Sequence, residues 1–598
     1  LIQQAANTPK LSRRAMLFGG VSLLGISILT GRLYYLQFIR SEKYKTLAEG
    51  NRIKVMILPP LRGIIYDRNG RPLAENRKNF RLFIELDKNP EPLKSLGKIR
   101  QWIPLEDFEV EKLKKELTAR KWGPPVLIKE HLKWEDVVEI EYHAPDLPGV
   151  FIEVGQTRHY PLADETAHVL GYTAAVNEQE ENEHYRWPDA QIGKQGMEKT
   201  YEEELRGTPG WKHMEVNVRG LAIRELDRDM GIPGQNIHSS LHHDLMHYSY
   251  ELLMASLSGA AIVMDIHNGE ILALASAPSF DSNIMAEGIS LKAWKALQED
   301  EKIPLLNKAI TGMYPPGSTF KMIVGLAALQ SGKATPQRRV YCPGHFYLGN
   351  HRFNCWKPEG HGHMNLTHAI AESCDTYFYT LGREIGIEAI ADICIKLGLG
   401  APTGLGIPGE KGGIVPTPEW KRKSYNQPWQ AGDTVNVSIG QGYVLATPMQ
   451  LCLMAARLVN GGKAVKPTLI KQTPDFKPNF AQLEIDPEHL AAVREGMDAV
   501  TGQPFGTAYA RRIMEPEFAM GGKTGTSQVR RITVRGQDQN TIPWRFRHHG
   551  LFVGYAPIME PRYACAVIIE HGGGGSAAAA PVARDILLKT QQLMAEKK

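Results

Sequence analysis

The stretch Tyr314-Pro315-Pro316-Gly317-Ser318-Thr319-Phe320-Lys321 places a serine and a lysine three positions apart. An uncharged run, residues 322–329, follows and is typical of a buried helix. Residues three apart in a helix lie on one face, so Ser318 and Lys321 are expected to point the same way. A serine hydroxyl becomes a good nucleophile when a neighbouring base takes its proton, and a lysine against this apolar wall is a candidate base.

Two later segments carry groups that work with such a serine. Ser373-Cys374-Asp375 lies in a helical context, and Gly521-Gly522-Lys523-Thr524-Gly525-Thr526 opens a strand. Alone, each motif has a plain interpretation, such as a helix cap or a solvated lysine. Their joint occurrence in the order S-x-x-K, S-x-D, K-T-G is typical of penicillin-binding serine acyltransferases. The chain resembles the class B penicillin-binding proteins, most of all their elongation-type branch.

The resemblance implies a role for each residue of the first two motifs. Ser318 is expected to be the nucleophile and Lys321 the base that activates it. Ser373 is expected to bind both motif lysines and to return a proton to the leaving group. Asp375 stands where the wider superfamily has asparagine, but the elongation-type branch carries aspartate there. Its charge would hold the lysines or orient the amide groups of the substrate.

The third motif is expected to bind the substrate. Lys523 and Thr524 offer a cation and a hydroxyl to the terminal carboxylate of a donor peptide. Gly525 permits close approach of the substrate backbone. The resemblance also implies an oxyanion hole formed by the backbone N–H groups of Ser318 and Thr526.

Length and composition are those of a multidomain globular protein. The 598 residues predict two to four domains, and 42% of them are hydrophobic and 23% charged. The net charge of +5 is too small to indicate a nucleic-acid partner.

An apolar segment lies near the N-terminus. Residues 1–14 contain three basic residues and no acid, and residues 15–39 contain a single charge, Arg32. We expect a cytoplasmic tail at 1–14 and an uncleaved transmembrane signal anchor at 15–39, because no small-residue cleavage site follows. The basic far flank, with Lys43 and Lys45, works against this orientation, and a buried amphipathic helix is the alternative.

The remaining sequence predicts an α+β protein of two further parts. Residues 40–230 resemble the elongated, mixed pedestal of class B enzymes, a dimerisation-type domain, through the segment 61–70 and the turn residues Asn217 and Gly220. Residues 231–598 are expected to form the serine transpeptidase domain, an antiparallel sheet between helical layers.

The sheet of this second part is predicted from a few segments. They are a hairpin at 259–277, strands at 524–529, 550–555 and 564–570, and a last helix at 582–594. The Gly/Ala-rich segment 571–580 is interpreted as a mobile loop near the cleft. Gly440-Gln441-Gly442-Tyr443 resembles a family segment beside the cleft, where shape rather than chemistry is expected.

Four candidate metal ligands are spaced as C-x12-C-x5-H-x12-C, namely Cys342, Cys355, His361 and Cys374. Three cysteines and one histidine are a common structural zinc set, and His345, His351, His363 and His368 are rival ligands. A Cys342–Cys355 disulfide is the alternative, since the periplasm is oxidising. No cofactor is expected for catalysis, because the serine chemistry needs no metal.

The resemblance implies a single-pass inner-membrane enzyme whose bulk lies in the periplasm. It would be a peptidoglycan D,D-transpeptidase that cross-links stem peptides during cell elongation and maintains cell shape, and β-lactams would acylate the same serine. The expected partners are a multi-spanning membrane glycosyltransferase, since no polymerase-like domain precedes the catalytic part, and scaffold proteins of the elongation machinery. A hydrolase resembling D,D-carboxypeptidases or β-lactamases, and a non-catalytic scaffold that activates a glycosyltransferase, are the alternatives.

Overall fold

The structure is a computed structural model of the chain. It describes residues 12–41, 53–119, 125–177, 179–180, 185, 190–216, 222–530 and 541–595. The predicted tail up to residue 11, the flank residues Lys43 and Lys45, and the pedestal residues Asn217 and Gly220 lie outside the described residues.

The strands follow one another along the described chain. They are β1 (Ile53–Leu58), β2 (Ile65–Tyr66), β3 (Pro72–Ile84), β4 (Val126–Lys129), β5 (Val150–His159), β6 (Thr173–Ala175), β7 (Gln191–Gly193), β8 (Gly210–Val216), β9 (Ala222–Asp229), β10 (Ile237–His238), β11 (Gly259–Asp265), β12 (Ile271–Ala277), β13 (Val340–Cys342), β14 (His345–Leu348), β15 (His351–Asn354), β16 (Gly362–Met364), β17 (Gly521–Ser527), β18 (His549–Ala556) and β19 (Tyr563–Ile569).

The α-helices lie before, between and after these strands. They are α1 (Arg13–Tyr34), α2 (Pro92–Trp102), α3 (Asp107–Ala119), α4 (Trp134–Tyr142), α5 (Ala167–Leu170), α6 (Gly196–Thr200), α7 (Glu202–Arg206), α8 (His243–Ala255), α9 (Ser282–Glu287), α10 (Leu291–Glu299), α11 (Lys321–Gln330), α12 (Leu366–Ala371), α13 (Asp375–Lys396), α14 (Pro418–Tyr425), α15 (Ala431–Val437), α16 (Pro448–Val459), α17 (Pro487–Gly502) and α18 (Ala580–Ala595).

Helix α1 is the apolar segment near the N-terminus. The Ser12 hydroxyl caps it by accepting a hydrogen bond from the Ala15 N–H at 3.3 Å, and a π-helical turn, Tyr35–Ile39, extends it. Residues 13–39 are long and apolar enough to cross a membrane, and none of that apolar surface is buried. The helix fits the predicted single-pass anchor.

The chain divides into two compact units. The first comprises residues 1–61, 178–190 and 207–233, and its three strands form an antiparallel sheet of order β1-β8-β9. The second comprises residues 62–177, 191–206 and 234–598. Within it, the first sheet has the order β10-β2-β3-β4, with β5 also paired to β3.

The main sheet of the second unit has the order β12-β11-β19-β18-β17 and is antiparallel throughout. Every residue of β11, β12 and β19 is buried, which requires cover on both faces of the sheet. Helices α8, α16 and α18 pack against these strands. The predicted hairpin, the three later strands and the last helix are all present, which confirms the α+β fold class.

The expectation of a loop at 571–580 is wrong for residues 575–580. Gly575–Ala579 forms a π-helical turn that leads directly into α18. A Cβ at Gly575 would lie 2.3 Å from the carbonyl oxygen of Gly525 and 2.4 Å from that of Leu551. The small residues are therefore required for close packing on β17 and β18, and composition alone does not separate this requirement from flexibility.

One buried carboxyl makes the stability of the second unit depend on pH. Asp498 on α17 accepts a hydrogen bond from the Tyr555 hydroxyl on β18, and burial raises the pKa of Asp498 to about 6. A carboxyl with a raised folded-state pKa favours folding while protonated, so this stabilisation is lost as the pH rises through about 6.

We predict that Tm falls more steeply between about pH 4 and pH 6 in the wild type than in Asp498→Asn, because this range lies between the ordinary carboxyl pKa and the raised pKa of the folded state. The shift of about two pKa units corresponds to about 3 kcal/mol at most. Differential scanning calorimetry measures it, with Asp475→Asn as the control, because Asp475 is exposed. Parallel pH profiles for the wild type and Asp498→Asn would contradict the account.

Candidate active site

Ser318 lies in a 3-10 turn, Gly317–Phe320, that leads directly into α11. Residues i and i+3 eclipse each other in a 3-10 helix, so Ser318 and Lys321 share one face, as predicted. Ser318 is half-buried, and Lys321 is fully buried at the head of a helix whose first nine residues are all buried. A partly open hydroxyl and a desolvated amine therefore lie one turn apart on the same face.

Gly317 holds this turn against two neighbouring segments. Its φ of +55° lies in the left-handed region, and its N–H donates to the carbonyl oxygen of Gly440 at 2.9 Å. A Cβ at Gly317 would lie 2.5 Å from the carbonyl oxygen of Thr526. A glycine is thus required both by the backbone conformation and by the approach of β17.

The Lys321 side chain makes three hydrogen bonds with the second motif. Its Nζ donates to the Ser373 carbonyl oxygen at 2.8 Å, to Ser373 Oγ at 3.1 Å and to Asp375 Oδ1 at 2.7 Å. An ammonium group has three donors, so all of them are used. Burial raises the pKa of Asp375, against the attraction of the Lys321 cation.

The backbone of the second motif is shaped for these contacts. The motif lies between two helices: Ser373 follows α12, Cys374 is the N-cap of α13, and Asp375 is its first residue. Ser373 has a φ of +59°, an uncommon conformation for a residue with a side chain. This conformation turns the Ser373 carbonyl oxygen and hydroxyl towards the same ammonium group.

Trp356 is a site residue that the sequence analysis missed. Its backbone N–H donates to Asp375 Oδ2 at 2.8 Å, and its indole N–H donates to the Glu372 carbonyl oxygen at 3.0 Å. The Asp375 carboxylate is therefore held by Lys321 through one oxygen and by Trp356 through the other. The available signal was the position of Trp356 directly after the candidate ligand Cys355.

The third motif lies on β17, at the edge of the main sheet. Lys523 is fully buried, and its Nζ donates to the Thr524 carbonyl oxygen at 2.9 Å. Burial and repulsion from the Lys321 cation lower the pKa of Lys523 well below the ordinary lysine value. Of the two contacts predicted for Ser373 with the motif lysines, the structure shows the one with Lys321.

Gln441 shows which way the edge of β17 points. Its side-chain N–H donates to the carbonyl oxygen of Thr526 at 3.0 Å. In an antiparallel strand, the N–H and C=O of one residue point to the same side. The Thr526 N–H therefore points away from β18, on the side where Gly317 approaches within reach of the Thr526 backbone. The segment 440–443, which was expected to contribute only shape, therefore also contributes a specific hydrogen bond through Gln441.

The four predicted metal ligands lie together. One donor atom from each of Cys342, Cys355, His361 and Cys374 falls within 4.8 Å of every other. The Nδ1 atom of His361 lies 3.5 Å from the Sγ atoms of both Cys342 and Cys355. Tetrahedral zinc with bonds of about 2.0 Å to nitrogen and 2.3 Å to sulfur spaces such atoms about 3.5 Å apart, so the residues fit this ion.

The rival ligands have other neighbours. All six cysteines are free thiols, so Cys342 and Cys355 are not joined. The rival histidines pack on aromatic rings: His363 on Tyr341, His345 on Tyr347, His351 on Phe353 and His368 on Phe505.

Comparison with known proteins defines the class. Residues 259–588 match the penicillin binding protein transpeptidase domain, and residues 57–239 match the penicillin-binding protein dimerisation domain. The chain belongs to the penicillin-binding protein family, which confirms the resemblance drawn from the three motifs.

Several relatives that match most of the chain are penicillin-binding protein 2 or peptidoglycan D,D-transpeptidases. The chain is 36% identical over 590 residues to the peptidoglycan D,D-transpeptidase MrdA of Haemophilus influenzae, covering 95% of this chain and 90% of the relative. The complex between penicillin-binding protein PBP2 and MreC from Helicobacter pylori matches with a TM-score of 0.80 and 31% identity, over 90% of this chain and 99% of that one. A peptidoglycan synthase complex that coordinates polymerization and crosslinking matches with a TM-score of 0.71 and 29% identity, over 96% and 98% of the two chains.

We predict that Gly317→Ala slows covalent labelling of the site by a fluorescent penicillin at least about tenfold, because the added methyl group pushes the turn away from β17. Gly332→Ala is the matched control, since Gly332 also has a positive φ, +66°, but has open space at its Cβ. Both variants bear a backbone cost of about 1 kcal/mol. Equal labelling rates in the two variants would refute the packing argument.

Proposed function

We propose that this chain is a peptidoglycan D,D-transpeptidase of the cell-elongation machinery and that it works through an acyl-enzyme at Ser318. The observation that carries the proposal is the buried Lys321 side chain, held by Ser373 and Asp375 and placed on the same face as Ser318. This is the arrangement that a lysine-activated serine nucleophile requires.

The first half-reaction forms the acyl-enzyme. The Lys321 ammonium group first passes one proton to the Asp375 carboxylate that it hydrogen-bonds, which leaves a neutral amine. Ser318 Oγ then attacks the carbonyl carbon of the penultimate D-Ala, the Lys321 amine takes the hydroxyl proton, and the bond to the terminal D-Ala nitrogen breaks. Ser373, hydrogen-bonded to Lys321, passes the proton to the leaving amine. In the second half-reaction an amine of a neighbouring stem peptide attacks the ester and Ser318 recovers its proton.

The third motif binds the donor peptide in this proposal. β17 is the last strand of the main sheet in the described part of the chain, and an extended peptide would add beside it as a further strand. Lys523 and Thr524 bind its terminal carboxylate, and the N–H groups of Ser318 and Thr526 stabilise the oxyanion. The outward direction of the Thr526 N–H supports this last role.

The proposed location and partners follow from the anchor and the relatives. Helix α1 would hold the chain in the inner membrane as a single-pass protein, with the transpeptidase domain in the periplasm. A solved relative forms a complex with MreC, and another belongs to a peptidoglycan synthase complex. We therefore propose a scaffold protein of the MreC kind and a membrane glycosyltransferase as partners.

The nucleophile is tested by labelling the full chain with a fluorescent penicillin. The wild type is expected to give a stable covalent band, and Ser318→Ala is expected to give none, because the ester cannot form. Ser331→Ala is the control, since Ser331 is the C-cap of α11 and its hydroxyl donates to the Ala328 carbonyl oxygen. A band that persists in Ser318→Ala would overturn the assignment, and a band that decays within minutes would favour a hydrolase.

We also propose that Cys342, Cys355, His361 and Cys374 hold a structural zinc ion. The ion would tie the second motif to the β13–β16 segment, because Cys374 adjoins both Ser373 and Asp375. No chemical step involves it. The 3.5 Å spacing of the His361 nitrogen and the two sulfur atoms supports this set.

The purified protein is predicted to contain about one zinc ion per chain, and a chelator is predicted to lower its Tm, because metal binding is coupled to folding. Elemental analysis and calorimetry measure both, with Cys394→Ser as a control, since Cys394 is buried on α13 outside the cluster. Titration of the denatured protein should find six thiols. Four thiols and no zinc would establish the disulfide instead.

A further inference from the structure

Thr507, a residue outside the three motifs, contacts the proposed carboxylate-binding strand. Its Oγ1 lies 2.8 Å from the Oγ1 of Thr524. Its N–H donates to the carbonyl oxygen of Ala371, the last residue of α12, at 3.1 Å. Its own carbonyl oxygen accepts a hydrogen bond from Ser576 Oγ at 2.6 Å. Two backbone hydrogen bonds therefore fix the place of this hydroxyl beside the third motif.

Only one of the two hydroxyls can donate its proton across this contact, and the other accepts. A hydroxyl has one O–H donor, so the group that donates across the 2.8 Å contact has no proton left for a ligand. If Thr524 donates to Thr507, Thr524 turns lone pairs towards an incoming carboxylate and repels it. If Thr507 donates, Thr524 keeps its own proton for the carboxylate.

We propose that Thr507 is a positioning residue for the terminal carboxylate of the donor peptide, acting by donating its hydroxyl proton to Thr524. This inference rests on the proposed function, in which Thr524 binds that carboxylate. A bound carboxylate accepts a proton from Thr524, so Thr507 must be the donor in the contact between the two hydroxyls. Each hydrogen bond in such a chain strengthens the next. The Thr524 side chain is almost fully buried, so water cannot readily replace the donor.

The same contacts link the carboxylate site to the second motif. The Thr507 N–H donates to the Ala371 carbonyl oxygen, and Ser373 lies two residues after Ala371. The strand that binds the carboxylate and the helix end that carries the proton-transfer serine are thus joined through one residue. In this arrangement Thr507 helps to set the position of the terminal carboxylate relative to Ser373, which acts on the scissile bond.

The test compares two synthetic donors with the full chain. One is a depsipeptide that ends in a carboxylate, and the other is the same molecule ending in a carboxamide. Release of the leaving group gives kcat and KM for each. Thr507→Val is expected to lower kcat/KM for the carboxylate donor about tenfold or more, mostly through KM, because Thr524 loses the hydrogen bond that directs its own proton to the carboxylate. The carboxamide donor should change less than about threefold.

Three variants separate positioning from folding. Thr507→Ser keeps the hydroxyl and should stay near the wild-type value. Thr507→Val should add little in a Thr524→Val background, since the two act in series. Thr311→Val is the control for loss of a threonine hydroxyl elsewhere, because Thr311 Oγ1 bonds the Gly409 carbonyl oxygen. If Thr507→Val does not fold, Thr507→Ala replaces it.

Each remaining outcome is decisive. Three results would overturn the inference and leave the transpeptidase proposal in place. The first is an equal loss of kcat/KM for both donors in Thr507→Val, and the second is a KM of Thr507→Val equal to that of the wild type. The third is a kcat/KM of Thr507→Ser as low as that of Thr507→Val. A wild type that releases no leaving group from either donor would overturn the proposed function itself.

Discussion

The site depends on one buried ion pair. Removing the Lys321 ammonium from water costs several kcal/mol unless every donor finds an acceptor. The Ser373 carbonyl oxygen, the Ser373 hydroxyl and the Asp375 carboxylate supply three acceptors within 3.1 Å. Because these contacts satisfy the ammonium group, the lysine can stay at the head of an apolar helix, on the same face as Ser318. A site with a misplaced second motif would leave a buried charge without a partner.

Two sets of contacts keep this pair in place. On one side, the Cys342–Cys374 region carries Trp356, whose backbone N–H holds the second oxygen of Asp375. On the other side, Gly317 lies against Gly440 and Thr526, and so joins the serine turn to β17. The first motif with Ser318 and Lys321, the second motif at 373–375 and the substrate strand β17 come from distant parts of the sequence. Their geometry therefore depends on tertiary packing and on a few residues that permit close backbone approach.

The local part of the site could be predicted from sequence because it is periodic. The three-residue spacing of Ser318 and Lys321 and the apolar run that follows them are sufficient to predict a helical turn with both side chains on one face. Trp356, Gln441 and Thr507 could not be found this way, because each acts through a contact with a residue 17 to 85 positions away. The segment 571–580 misled the prediction, since glycine and alanine serve close packing as readily as flexibility.

The most direct test of the account is the rate at which a fluorescent penicillin acylates Asp375→Asn, with circular dichroism to establish that the variant is folded. Asparagine keeps the shape of Asp375 but removes the charge opposite Lys321, so acylation should slow at least about tenfold. Asp392→Asn, an exposed position on the same helix that pairs with Lys396, should acylate at the wild-type rate. A folded Asp375→Asn variant that acylates as fast as the wild type would contradict the claim that this ion pair organises the site.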